Sequence, residues 1–397
     1  MSALAAVCRR REDCRLCGGR RLERILSLAP IPLANAFVTR DQLALEQPRF
    51  PLDVWLCAAC GHVQLLDVVD PKTLYEHYVY VSGTSPAFVR HFEQYADDVI
   101  RSFAPPADGL IVEIGSNDGT LLKFFRDRER RVLGVDPAQE ISAATRALGI
   151  PTITGFFTPE LADRILAEHG LASVIVANNV MAHIDDLSSV ARGVACLLTP
   201  SGVLVFEVAY LVDLIQDILF DTIYHEHLDY HSVEPLIPFL AGHGLELVDV
   251  MRIDTHGGSF RAVAQRTGGR LPVRESVSAA LALEREIGLR RPDIYLAFSA
   301  QIERFGTELV RLLRERRAPQ CLGLPDIHGE RLFNQYRQFR SHRGERHLGM
   351  ERRRGRNDHA IDRIGIEHVA PIRHHGTAGK NDPGAFRISR PEPRKTH

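Results

Sequence analysis

The chain has 397 residues, 45% hydrophobic and 25% charged, a length that predicts two or three domains, each able to bury a core. No apolar run approaches the ~20 residues of a membrane span, and the start Met1–Arg10 places its arginines behind a short apolar stretch, which excludes a membrane protein and argues against export. The net charge of −1 conceals an acidic body: residues 318–397 hold 16 Lys+Arg against 9 Asp+Glu, leaving residues 1–317 at −8, a poor balance for binding nucleic acid.

In chain order, residues 14–61 come first: cysteine-framed, proline-rich and without helical periodicity. Cys14-Arg-Leu-Cys17 and Cys57-Ala-Ala-Cys60 are each followed by a glycine, Gly18 and Gly61, able to turn backbone N–H groups toward thiolate sulfurs. In a chain without a signal segment such pairs read as a metal site, not a disulfide framework, and place the protein in a reducing compartment, the cytoplasm. Four thiolates satisfy Zn²⁺ completely and leave no open position, so the site is expected to be structural. The plainer alternative is four free buried cysteines; Cys8 and His62 are poorer ligands by spacing.

From Leu74 to Phe103 the pattern is helical, with Phe88, Phe92, Tyr95 and Val99 on one face and Pro105-Pro106 ending the run. Apolar runs then alternate with helical stretches: Leu110–Ile114, Val132–Val135, Thr152–Thr154, Val174–Ala177 and Val203–Val208. That rhythm predicts a doubly wound α/β domain on a parallel sheet. Leu245–Val250 and Ser259–Gln265 are expected as edge strands, and Leu281–Arg316 as one or two amphipathic helices. Beyond Arg317, 8 of the 18 histidines and 14 arginines crowd into 80 residues with few large aliphatics, so residues 318–397 are expected to be poorly ordered. With 45 arginines against 4 lysines, the coding is GC-rich; a reading-frame shift explains the break in texture, and a genuine divergent tail is the alternative.

Glu113-Ile-Gly115-Ser-Asn117-Asp-Gly119-Thr120 follows a predicted strand and opens a helix, whose N-terminus offers unpaired N–H donors. The Gly-x-x-x-Gly spacing is not the dinucleotide fingerprint. Asp136 ends the next strand, where a carboxylate can accept both hydroxyls of an adenosine ribose. Together these resemble the first two motifs of S-adenosylmethionine-dependent class I methyltransferases; a packing turn is the alternative. Asn178 and Asn179, at the end of the fourth strand, either line the methionine end of such a site or cap the following helix.

Asp221-Thr-Ile-Tyr224-His225-Glu226-His227-Leu-Asp-Tyr230-His231 packs several acid–base groups into eleven residues. Histidine titrates near neutrality and suits abstraction of a proton beside a ketone. The residues alone do not choose among His225, His227 and His231; core-satisfied histidines or a shared metal are the alternatives. Tyr78–Ser85 and Met181-Ala-His183-Ile-Asp185-Asp186 are placed for the same cleft, though capping serves equally well for His183. Thr255–Ser259 reads as a turn that meets a phosphate or simply closes a hairpin.

The cysteine pairs, Pro32-Leu-Ala-Asn35, Tyr80–Ser85, Glu113–Thr120, Asn179–Asp186, Tyr224–Tyr230 and His256–Ser259 jointly resemble the deoxysugar C-methyltransferases, from about Cys14 to about Arg316. The resemblance implies a class I (Rossmann-like) methyltransferase domain with a small N-terminal zinc lobe and, here, an atypical C-terminal segment. The expected division is a zinc lobe over 1–73, the methyltransferase domain over 74–270, the helical start of a C-terminal domain over 271–317 and the divergent tail. It also implies S-adenosylmethionine as donor, with Glu113, Gly115, Asn117, Gly119, Asp136, Asn178 and Asn179 around it, and zinc on Cys14, Cys17, Cys57 and Cys60. The implied substrate is a dTDP-4-keto-6-deoxyhexose, methylated at C3 on a pathway to the branched sugars of antibiotics. His227 falls on the family's general base; Tyr224, Glu226, Tyr78 and His183 fall on residues around the sugar. A monomer is expected. The rival readings are a nucleotide-sugar epimerase or reductase, which needs the missing dinucleotide fingerprint, and a non-catalytic zinc-ribbon binding module, which leaves the Tyr224–His227 cluster without a purpose.

Overall fold

A computed structural model describes residues 7–42, 45–75, 78 and 80–315; the tail over 318–397 lies outside the described residues. The N-terminal lobe supplies β1 (Cys8–Arg10), β2 (Leu22–Ile31), β3 (Phe50–Cys57), β4 (Val63–Leu65) and β5 (Asp67–Val69). The central domain supplies β6 (Leu110–Ile114), β7 (Arg131–Asp136), β8 (Thr152–Thr154), β9 (Ala172–Asn178), β10 (Leu198–Ala209), β11 (Asp229–Tyr230), β12 (Leu245–Ile253) and β13 (Ser259–Arg266).

Seven strands form one sheet in the order β12-β13-β10-β9-β6-β7-β8. β8, β7, β6, β9 and β10 run parallel, while β13 is antiparallel to both of its neighbours. Both faces are covered, and the alternation of side chains explains the continuous apolar runs. In β6, Leu110, Val112 and Ile114 join one core with Leu133, Ile175 and Phe206. Ile111 joins the other, with Phe92, Tyr95, Val99, Leu122 and Phe125. The order reverses between β6 and β9, so the carboxyl ends of β6, β7 and β9 flank the crevice where such sheets take ligands.

The helix expected over Leu74–Phe103 is shorter. A five-residue helix covers Pro71–Tyr75, and an 18-residue helix runs Pro86–Phe103. Ser85 caps the latter by accepting the Phe88 N–H, and Pro86 fixes its first turn, so Tyr80–Ser85 is left as connecting chain against the glycine loop. At the other end, helices cover Glu275–Ile287 and Pro292–Glu315. Buried Glu284 accepts the N–H groups of Val233 and Glu234 at 2.6 and 2.9 Å and the Tyr210 hydroxyl at 2.9 Å, fastening this helical unit to the central domain. No helix among the described residues is long and apolar enough to cross a membrane.

The lobe is not an appendage. Its four-stranded sheet has the order β11-β4-β3-β2, so its outermost strand comes from the central domain, with Asp229 opposite Gln64 and Tyr230 opposite Val63. Leu52, Val54, Leu56, Val63 and Leu65 of the lobe are buried in the same core as Leu211, Leu214, Tyr230, Tyr295 and Phe298. At about 1.5–3 kcal/mol per buried large aliphatic side chain, this burial fastens the lobe to the rest of the chain.

Candidate active site

The cleft, about 1630 Å³, lies between the carboxyl ends of the parallel strands and the lobe. Its sheet wall is built on the loop after β6. Gly115 (φ 70°) and Asn117 (φ 48°) take left-handed backbone, and a β-carbon on Gly115 would meet Val180 at 2.8 Å. Asp136 ties this loop to β7: its carboxylate accepts the Asn117 N–H at 2.8 Å and the Ala138 N–H at 2.9 Å. Burial raises the Asp136 pKa while those two N–H groups oppose the rise. A carboxylate has about four acceptor positions, so Asp136, which lines the cleft, keeps capacity for hydroxyl donors such as those of a ribose. Asn178 and Asn179 also line the cleft; Asn179 (φ 54°) donates its N–H to the Glu207 carbonyl and caps no helix. Gly115, Asn117, Asp136, Asn178 and Asn179 thus form one surface whose donors and acceptors fit S-adenosylmethionine.

Glu113 and Gly119 stand behind that surface. Glu113 is 4% exposed, and burial, with Asp118 and Asp136 nearby, pushes its pKa well up. Gly119 (φ 71°) caps the next helix, where a β-carbon would meet Thr145 at 2.7 Å, so the position takes only glycine. Sequence reasoning misses Phe156 and Phe157, which line the cleft just after β8; a Gly-Phe-Phe directly behind a parallel strand is the available signal.

The opposite wall carries the acid–base groups. His227 donates Nδ1–H to the Thr222 carbonyl at 2.7 Å, because a carbonyl can only accept. In the neutral ring Nε2 is then the unprotonated nitrogen, and Tyr224 OH lies 2.9 Å from it. The His183 ring sits 5.0 Å from that of His227, and burial lowers the His183 pKa to about 4, keeping it neutral at neutral pH. Glu226 accepts from Asn35 Nδ2 at 2.6 Å and from Tyr78 OH at 3.3 Å, and Tyr75 OH donates to its backbone carbonyl. Burial raises Glu226 to about 7, against the two hydrogen bonds. Tyr78, His183, Tyr224 and His227 line the cleft, and Glu226 is joined to it through Asn35 and Tyr78. Asn35 and Thr222 escape a sequence-based list of site residues; a backbone carbonyl leaves no mark in a sequence.

The other two histidines of the cluster point elsewhere. His225 is buried against Phe50 with Nε2 3.0 Å from the Pro51 carbonyl, and His231 is buried beside His62, ring centroids 5.8 Å apart. A shared metal on His225, His227 and His231 is thereby ruled out as an arrangement. Among the described residues, the metal-competent group is Cys14, Cys17, Cys57 and Cys60, whose sulfurs all lie within 4.8 Å of one another.

Cys14 and Cys60 are 3.6 Å apart, as are Cys17 and Cys57. Zn–S bonds of about 2.3 Å in a tetrahedron put sulfurs about 3.8 Å apart, whereas a disulfide needs about 2 Å. The Gly18 and Gly61 N–H groups close each turn onto the Cys14 and Cys57 carbonyls, at φ of 68° and 85°. The Cys60 thiol hydrogen-bonds to Cys14 and lowers it to about 4, while Cys60 itself is pushed up by the same partner. Only a dication allows all four to be thiolates together, so the donor set fits zinc. His62 is no ligand: its Nε2 meets Asp229 at 2.6 Å.

Comparison with known proteins gives three family models in succession: a zinc binding domain over residues 14–75, a methyltransferase domain over 88–250 and a C-methyltransferase C-terminal domain over 254–321. C-methyltransferase NovU of Streptomyces niveus is 35% identical over 303 residues, covering 76% of this chain and 72% of that protein. Similar solved structures include magnesium protoporphyrin IX methyltransferase from Synechocystis with bound SAH, at 16% identity, 45% of this chain, 85% of that chain and TM-score 0.35. Another is an S-adenosylmethionine-dependent methyltransferase from Clostridium acetobutylicum, at 13% identity, 45% of this chain, 92% of that chain and TM-score 0.37.

Proposed function

Because the chain belongs to the deoxysugar C-methyltransferase family, an S-adenosylmethionine-dependent C-methyltransferase with a four-cysteine zinc site, we propose that its cleft takes a nucleotide-activated keto-sugar. The substrate in this reading is a dTDP-4-keto-6-deoxyhexose, methylated at C3. The observation that supports it best is the fixed tautomer of His227: Nδ1–H is engaged by Thr222, so Nε2 faces Tyr224 and the cleft as a base.

His227 Nε2 takes the proton from the carbon beside the C4 ketone, and the C–H electron pair becomes that of an enolate. Tyr224 turns its single hydroxyl hydrogen from His227 Nε2 to the oxygen that gains charge, which also frees Nε2, while Tyr78, whose hydroxyl is engaged by Glu226, shapes the wall beside it. Neutral His183 packs on His227 and keeps a second positive charge away from it. S-adenosylmethionine, when bound, would supply an electrophilic methyl group: the new C–C bond replaces the S–CH3 bond, whose electron pair stays on sulfur as the neutral thioether leaves. The remaining contribution of the chain is to hold donor and acceptor in register. On this reading the methyltransferase domain (74–270) carries the cofactor wall and most of the base wall, the lobe (1–73) adds Asn35 to the latter, and the helical unit (271–317) is fastened behind them through Glu284.

The test is incubation of the protein with labelled S-adenosylmethionine and a panel of keto-sugar nucleotides. Label in a dTDP-4-keto-6-deoxyhexose at C3 is the expected result. Labelling of an oxygen or nitrogen, or of no sugar nucleotide at all, would overturn it.

A further inference from the structure

The zinc knuckle hands one side chain to the far side of the seam. Arg15, between Cys14 and Cys17, has a fully buried side chain. Its Nε donates to Asp185 Oδ1 at 3.0 Å and lies 4.0 Å from Asp229 Oδ2. Nη1 donates to Gln64 Oε1 at 3.1 Å and to the Leu65 carbonyl, and the backbone N–H of Arg15 reaches the same Gln64 oxygen at 3.1 Å. Asp185 stands two residues after His183, and Asp229 two residues after His227.

The backbone repeats the connection. Leu228 donates its N–H to the Ala182 carbonyl at 2.7 Å, and Leu65 donates to the Leu228 carbonyl at 2.8 Å. The segment carrying His227 is therefore strung between the segment carrying His183 and strand β4 of the lobe. Arg15 is the buried cation at the point where all three meet; Arg9 and Arg11 also reach Asp185, but from more exposed positions.

We infer that Arg15 is a positioning residue, which sets the relation of the His183 and His227 rings through Asp185 and Asp229. The inference rests on the reading of those histidines as the base wall of methyl transfer. A guanidinium suits the task because its planar fork serves an aspartate and a carbonyl in fixed directions; an ammonium is a single point of charge. Arg11 stays on Asp185 and His62 on Asp229 when Arg15 changes, but Arg15 is the buried cation that spans the two segments, so altering it loosens their relation and lets the histidine loops move. The knuckle fixes the backbone of Arg15 on both sides, which gives the lobe a part in the site although no sulfur approaches the substrate cleft.

The experiment uses the full zinc-loaded chain with Arg15→Lys, and with Asp185→Asn as a second variant outside the knuckle should Arg15→Lys not fold. Metal content and the fluorescence of Trp55, the single tryptophan and a residue of β3, report whether the lobe is intact. Ring NMR signals of selectively labelled histidines report His183 and His227, with His169 on a distant helix as the reference. We expect full zinc, unchanged S-adenosylmethionine affinity, displaced signals of His183 and His227 but not of His169, and kcat lower by about 10- to 100-fold at little changed KM. Unmoved His183 and His227 signals in a folded, zinc-loaded variant overturn the inference, as does unchanged kcat. If the wild-type protein methylates no keto-sugar, the functional reading fails, and the ring signals still decide whether Arg15 positions the two histidines.

Discussion

The two walls of the cleft are built in opposite ways. The wall we assign to the cofactor comes from neighbouring strand ends of one sheet: a loop after β6, an aspartate ending β7 and two asparagines at the end of β9, joined by short backbone contacts. The wall we assign to the base is assembled from Asn35, Tyr78, His183, Thr222, Tyr224 and His227, drawn from the lobe, its connector, and two loops more than thirty residues apart. Local geometry makes the first wall; a seam between two structural units makes the second. Disturbing the seam is therefore expected to disable chemistry while sparing cofactor binding, and disturbing the glycine loop to do the reverse.

Zinc removal gives the largest separation. A structural zinc held by four thiolates contributes on the order of 10 kcal/mol or more to the fold that holds it. Treatment with a strong chelator should release about one zinc per chain, shift Trp55 emission and abolish turnover. Calorimetry should still detect S-adenosylmethionine binding, since Gly115, Asn117 and Asp136 are held by the sheet. Metal analysis that finds no zinc in folded protein, or loss of cofactor binding in step with the lobe, would erase the contrast between the walls.

His227→Asn narrows the disturbance to one nitrogen. An amide can keep the hydrogen bond to Thr222 but not the basic lone pair, so turnover should drop by about two to four orders of magnitude with cofactor affinity intact. Exchange of the α-proton of the keto-sugar with solvent is the direct readout. A normal exchange rate in the mutant would assign the base to another residue.

How much of each wall is legible in the sequence follows from the same contrast. Glu113–Thr120 and Asp136 form a pattern with a strand before it and a helix after it, and the parallel strands are readable because both faces are buried, although β10, expected over Val203–Val208, runs Leu198–Ala209. In the histidine cluster, spacing alone does not separate His225, His227 and His231. That choice is made by what each ring meets: the Pro51 carbonyl, the Thr222 carbonyl, or the His62 ring. Arg15 illustrates the limit best, because an arginine inside a Cys-x-x-Cys pair looks like a solvated spacer until the fold brings Asp185 and Asp229 to it. The helix expected over Leu74–Phe103 overruns at its start because Pro86 begins the element and does not lie inside it.

Glu226 offers a smaller test on the base wall. Its carboxyl is raised by burial to about 7, from an ordinary value near 4.5, so the folded state holds its proton more tightly than the unfolded chain. Stability from this group is complete below pH ~4.5 and is lost as pH rises toward and through 7, amounting to about 3 kcal/mol at roughly 1.4 kcal/mol per pH unit. Glu226→Gln should flatten that part of the stability profile. A profile as steep in the mutant as in the wild type would move the titration to another group.

On the cofactor wall, Asp136→Ala should weaken S-adenosylmethionine binding by about 1.5–3 kcal/mol, the scale of a lost charged hydrogen-bond partner. The structure separates two routes to that loss. Asp136 already accepts from Asn117 and Ala138, so its removal strands two backbone N–H groups and loosens the loop, besides withdrawing the acceptors that face the cleft. Asp136→Asn keeps one acceptor oxygen of the same shape for the loop and gives up the charge. If the loop carries the effect, Asn should recover affinity and thermal stability in step, each in part, since the two loop N–H groups use different oxygens and Asn keeps only one. If direct acceptance of ligand hydroxyls carries it, Asn should recover stability while affinity stays low. In both cases kcat at saturating cofactor should change little, because no atom of Asp136 reaches the base wall; unchanged affinity in Asp136→Ala would take the residue out of the cofactor site altogether.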